Sequence, residues 1–141
     1  MVSRFAFAAT AMLALSSGAS AQGQGPVGIA FVEAPEMSSG VCTAGNPDAG
    51  FACARAKCME SGAQARDCLR VAWCFPSGWS VDVFMQHREG PHWHEYSCGW
   101  QTREAAMKAA EVKCDPGLNE HLIECTAVRV WDPQGAETDV Q

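Results

Sequence analysis

Two stretches of the chain decide how it is read. Residues 41–78 are VCTAGNPDAGFACARAKCMESGAQARDCLRVAWCFPSG, and residues 97–135 are SCGWQTREAAMKAAEVKCDPGLNEHLIECTAVRVWDPQG. Aligned with one extra residue in the second loop, Cys42 falls on Cys98, Cys58 on Cys114 and Cys68 on Cys125. Val71 then falls on Val128, Pro76 on Pro133 and Gly78 on Gly135. Two copies make a pseudo-symmetric domain rather than a solenoid.

Each copy reads as a helix between strands. The first helix is expected over residues 48–59, with Asn46 or Asp48 as its cap. The second is expected over residues 102–114, capped by Thr102 and stopped by Asp115-Pro116-Gly117. Ala106, Ala110 and Cys114 share one face of it and allow close approach to a sheet. A strand rich in β-branched and apolar residues follows each helix: Leu69, Val71 and Trp73, then Thr126, Val128 and Val130.

A hairpin precedes each helix. In the first, Val27, Ile29 and Phe31 alternate with Gly28 and Ala30, and the chain turns at Ala34-Pro35-Glu36-Met37. In the second, Val81, Val83 and Met85 alternate with Asp82, Phe84 and Gln86, and the turn is placed at Arg88-Glu89-Gly90-Pro91. The fold expected is therefore α+β: two ββαβ repeats, about residues 27–78 and 79–135, forming one antiparallel sheet with both helices on one face.

Working outward, the N-terminus MVSRFAFAATAMLALSSGASAQ has a positive start at Arg4, an apolar run, and Ala19-Ser20-Ala21 fitting the A-x-A cleavage rule. Residues 1–21 are read as a signal peptide cleaved near Ala21, and residues 22–141 as one mature domain, periplasmic or secreted. The apolar run is too short to span a bilayer, and no later segment is apolar enough to anchor the chain. All 8 cysteines lie in the mature part, which in an exported chain means disulfides. Loss of Arg4 leaves nine basic residues against 16 acidic ones, a net charge near −7. That balance argues against nucleic acid or anionic lipid and permits a basic protein partner.

Composition cannot choose among the roughly 105 connectivities that eight cysteines allow. A helix end lies close to the start of the returning strand, which favours Cys58–Cys68 and Cys114–Cys125. Cys53 and Cys74 break the repeat, with Ala109 and Trp131 in the matching places. Residues gained together suggest a Cys53–Cys74 pair, leaving Cys42–Cys98 to link the halves.

The order of elements resembles a family of small exported bacterial domains of unknown function that contain cysteines. Its pattern is a G-x-I-A hairpin start, an Ala-rich helix ending in cysteine, then cysteine and a Val-rich strand. Here these are Gly28-Ile29-Ala30, Arg103-Glu104-Ala105-Ala106 to Cys114, and Cys125 to Val130, with Trp73-Cys74-Phe75-Pro76-Ser77-Gly78 similar to the family's strand end. The chain departs from it at Gly45-Asn46-Pro47-Asp48, where the family has Ser-Arg-Glu. The resemblance implies fold and export and brings no catalytic residue.

The constellation with most chemistry is His87, His92 and His94 in HREGPHWHE. If residues 88–91 form the loop, His87 faces His92 across the strands, His94 shares that face, and Met85 sits opposite His94. Three imidazoles there could hold zinc, and imidazole with a thioether could hold copper. A turn shifted by one residue would scatter them. The same register turns Trp93 away from the core beside Phe84 and Glu95, an aromatic patch rimmed by acid that suits binding. Glu33 and Glu36 flank the first turn and could act as an acid–base pair, although acids at a hairpin tip are usually solvated. Ser77 and Ser80 lack the G-x-S-x-G elbow. There is no P-loop and no G-x-G-x-x-G, and no cofactor is implied.

The function expected is a non-enzymatic, disulfide-stabilised module that binds another macromolecule, in its sharpest form an inhibitor of a basic enzyme such as lysozyme. The alternative is a zinc- or copper-binding protein using the histidine hairpin.

Overall fold

The structure, a computed structural model, describes residues 25–141. The expected signal peptide lies outside those residues. The elements run β1 (Gly28–Ala34), β2 (Ser38–Ala44), α1 (Pro47–Glu60), β3 (Leu69–Cys74), β4 (Trp79–His87), β5 (His92–Trp100), α2 (Arg103–Lys113), β6 (Leu122–Trp131) and β7 (Glu137–Thr138). The helices start where their caps dictate. The Asn46 side chain accepts from the Ala49 amide at 3.0 Å, with Pro47 in the first turn, and Thr102 accepts from the Ala105 amide at 3.1 Å.

The strands form two antiparallel sheets, in order β2-β1-β3 and β5-β4-β6-β7. Alternation along β1 explains why one sheet is not enough. Ala30, Val32 and Ala34 point to one side, where they pack with Ala54 and Cys58 of α1. Ile29 and Phe31 point to the other, where they meet Tyr96, Cys98 and Trp131 of the second sheet. That sheet turns Val81, Val83, Met85 and Val130 outward onto Ala106 and Ala110 of α2. The layers are thus α1, first sheet, second sheet, α2.

This corrects the expected single sheet with both helices on one face. The cause is Phe31. It is wholly buried, 4.8 Å from the Tyr96 ring and 5.3 Å from that of Trp131. In a single sheet with helices on one side it would face water, forfeiting about 1.5–3 kcal/mol of burial. The sheets also join at Cys74–Cys98, between the ends of β3 and β5.

All eight cysteines are paired: Cys42–Cys53, Cys58–Cys68, Cys74–Cys98 and Cys114–Cys125. The two bridges from helix ends to returning strands stand as expected. The pairs Cys42–Cys98 and Cys53–Cys74 are corrected. Cys42 stands on β2 opposite Ala30, on the face that α1 covers, so its partner is Cys53 in that helix. Cys74 pairs in register with Ile29 and Cys98 lies two residues beyond Tyr96, which puts both on the inter-sheet face. Small residues let α1 sit down on β2: a Cβ at Gly40 would stand 1.9 Å from the Ala54 carbonyl oxygen.

Candidate functional site

The β4–β5 hairpin sets the site, and its register differs from the expected one by a residue. Phe84 pairs with His94, Met85 with Trp93 and Gln86 with His92. The His87 amide donates to the Pro91 carbonyl at 2.8 Å, closing a three-residue loop with Gly90 at φ 109°. His92, His94, Tyr96, Phe84 and Asp82 therefore share the inter-sheet face, while Trp93 and Glu95 point toward α2.

This parts two expected groups. His87 lies with His121, ring centroids 5.1 Å apart, and away from His92 and His94. Met85 is opposite Trp93, not His94. Among the described residues no three His, Cys, Asp or Glu side chains stand in a metal-binding arrangement. The Trp93 and Glu95 side chains leave β5 on the face opposite the one Phe84 occupies, so the expected patch of the three is not formed. Trp93 packs against the core under α2 and its indole N–H donates to Glu95 at 3.3 Å. Glu95 also pairs with Lys113 at the end of α2, and that contact holds its carboxyl below the usual range.

The register instead assembles a polar centre on Asp82, which is fully buried. Its Oδ2 accepts from Arg129 Nε at 3.1 Å and Nη2 at 2.8 Å, and its Oδ1 lies 2.8 Å from His94 Nδ1. A carboxylate only accepts, so His94 Nδ1 carries the hydrogen of this contact. Arg129 Nη1 donates to Ser39 on β2 at 2.9 Å, tying the second sheet to the first hairpin. Burial works against the Arg129 charge, but the Asp82 contact outweighs it and raises the guanidinium pKa.

Above this centre opens a cleft of about 400 Å³ between the tips of the two hairpins. The first hairpin contributes Glu33, residues 34–37 of the turn, Ser38 and Ser39. The second contributes Phe84, His92, Trp93, His94 and Tyr96, with Arg129 from β6. The Phe84 ring centroid stands 5.6 Å from that of His92 and 5.5 Å from that of His94. Glu36, at φ 62° in the turn, reaches within 3.8 Å of His92 Nε2. Tyr96 Oη is shut off from solvent without a hydrogen-bond partner, and burial, with Asp82 and Glu33 nearby, raises its pKa strongly.

Glu33 is the acid that tells most. It follows Phe31 on the inter-sheet face of β1, and burial raises its pKa, with His94 and Arg129 only partly offsetting. A carboxyl with a raised folded-state pKa holds its proton to higher pH than the unfolded chain does. Its cost to stability is absent below the unfolded value and grows as pH rises through the folded one. Glu33→Gln should therefore melt above the native protein at pH 7.5, with the gap closing below pH 4. A lower melting temperature for the variant at pH 7.5 would contradict this account of Glu33.

Asp82 and Arg129 were not singled out from the sequence, although a signal was there. Asp82 is the lone acid in the apolar strand WSVDVFM, and Arg129 the lone base in AVRVW. A buried charge needs a partner, and β4 pairs with β6 so that the two stand opposite. No protein-family model, curated protein or solved structure matches the chain. What stands of the resemblance is a small cysteine-rich α+β domain held by four bridges.

Proposed function

We propose that the chain is an exported, non-enzymatic binding module that docks a basic macromolecule over the cleft between its two sheets. The observation that carries this is the charge balance of the cleft. Arg129 is spent on Asp82, so Glu33 and Glu36 leave the opening acidic. The surplus matches the mature chain, whose nine basic residues face 16 acidic ones. Aromatic side chains behind the acids give a binding surface contact area with little conformational cost. Four bridges suit an oxidising compartment, and among the described residues no helix is long and apolar enough to cross a membrane. Export through residues 1–21 and descent of the two halves from one doubled ββαβ unit belong to the same reading.

The sharpest form is inhibition of a basic enzyme such as lysozyme. Mixing the two should give a complex on gel filtration and slower bacterial lysis, both weakening as salt rises from 50 to 500 mM, since the attraction is between exposed charges. No complex and an unchanged lysis rate at 50 mM salt would remove the lysozyme version. If the immobilised protein also retained no basic protein from periplasm or medium, the wider reading would go with it.

A further inference from the structure

We infer that the cleft takes a single lysine or arginine side chain of the partner, with Glu33 as its counter-ion. This rests on the binding reading above and specifies its chemistry. Asp82 is fully buried and holds Arg129 on one oxygen and His94 on the other. Glu36 has His92 within 3.8 Å. Among the described residues Glu33 is in no ion pair, although it is the acid set furthest into the cleft.

An unpaired carboxylate at a half-buried position costs stability, and a protein that keeps one there gains from whatever neutralises it. Burial already pushes the Glu33 carboxyl toward its protonated form. A cation entering the cleft reverses that, since an opposite charge within a few ångströms favours the ionised acid. Tyr96, whose Oη is buried, lines the same space.

The walls fit the rest of such a side chain. Phe84, with the His92 and His94 rings packed about it, presents apolar surface for the methylene stem and a ring face for the charge. A space of about 400 Å³ has room for one such side chain. An anion would meet Glu36 at the mouth and Glu33 further in, and the nearby guanidinium is already neutralised by Asp82.

The test uses the mature chain, titrated with N-acetyl-arginine methylamide, N-acetyl-lysine methylamide and, as the opposite charge, N-acetyl-glutamate methylamide, followed by NMR. The expected result is saturable shifts of the His94 and Tyr96 ring signals with the two cations and none with the anion. Glu33→Gln should weaken the cations at least tenfold. Its melting temperature, expected above the native one at pH 7.5, shows that the variant is folded. Saturable binding of the glutamate probe, or cation affinity unchanged in Glu33→Gln, overturns the inference. If a basic protein is retained equally by the native chain and by Glu33→Gln while neither cation shifts the cleft, the side-chain site is wrong and the binding reading survives. If the cations bind but no basic protein is retained, the site stands and the macromolecular reading fails.

Discussion

Asp82→Ala is expected to lower the free energy of unfolding by about 3 kcal/mol, read as a fall in the urea midpoint. Removing one partner of a buried ion pair typically costs about 3–5 kcal/mol, because the other charge is left without its counterpart. The lower end applies here. The Arg129 and His94 side chains are 30% and 26% exposed, so water can reach them once the carboxylate is gone. The double variant Asp82→Ala, Arg129→Ala should cost clearly less than the two single losses added together, since neither charge is then stranded. Asp82→Asn keeps an acceptor for His94 and should fall between native and alanine. Additive losses would mean that the pair is not coupled, and the floor of the cleft would need another explanation.

Opening the bridge between the sheets should be the second large effect. Cys74→Ala with Cys98→Ala releases a link with a sequence separation of 24, against 11 for Cys114–Cys125. The chain-entropy relation gives losses of about 3.5 and about 2.8 kcal/mol respectively. The difference in kind matters more than that in size. Cys114–Cys125 fastens α2 to the strand beneath it, whereas Cys74–Cys98 holds the two sheets face to face. Its loss should loosen the contacts of Phe31 with Tyr96 and Trp131 and weaken partner binding as well as stability. Loss of Cys114–Cys125 should cost stability and leave binding near native. Peptide mapping of the unreduced protein checks the premise: a disulfide-linked peptide pair joining Cys74 to Cys98 is expected, and one joining Cys42 to Cys98 would refute it.

The sequence was most legible where signals are local. Asn46 with Pro47, and Thr102, mark helix starts that the structure keeps within a residue or two. The strands after each helix follow from their β-branched runs. Layering was harder because β1 shows large apolar residues alternating with small ones, a pattern that fits a sheet covered on one face only. Gly28, Ala30 and Ala34 are as buried as Ile29 and Phe31, and a strand apolar on both faces needs cover on both. The helices therefore lie on opposite outer surfaces, and the cysteine pairing follows from that.

The candidate site turned on one residue of register. With the turn at residues 88–91, three histidines share a face. With the three-residue loop that Gly90 permits, His87 leaves the group, and Phe84 changes sides relative to Trp93 and Glu95. Turn chemistry allowed both lengths, and the choice is made on β5, where Tyr96 and Cys98 face the first sheet and Trp93 and Trp100 pack under α2. Glu33 and Glu36 were visible as acids flanking a turn. That one of them reaches into an inter-sheet cleft depends on a second sheet that pattern alone did not predict.

The central claim is that a partner docks where the two sheets part. Cross-saturation NMR of the isotope-labelled mature chain, bound to unlabelled lysozyme or to a basic protein it retains, reads the docking surface residue by residue. The account predicts attenuation over residues 33–39 and 92–96 and at Phe84, with the outer faces of α1 and α2 unaffected. Attenuation centred on either helix, with the cleft untouched, would contradict it.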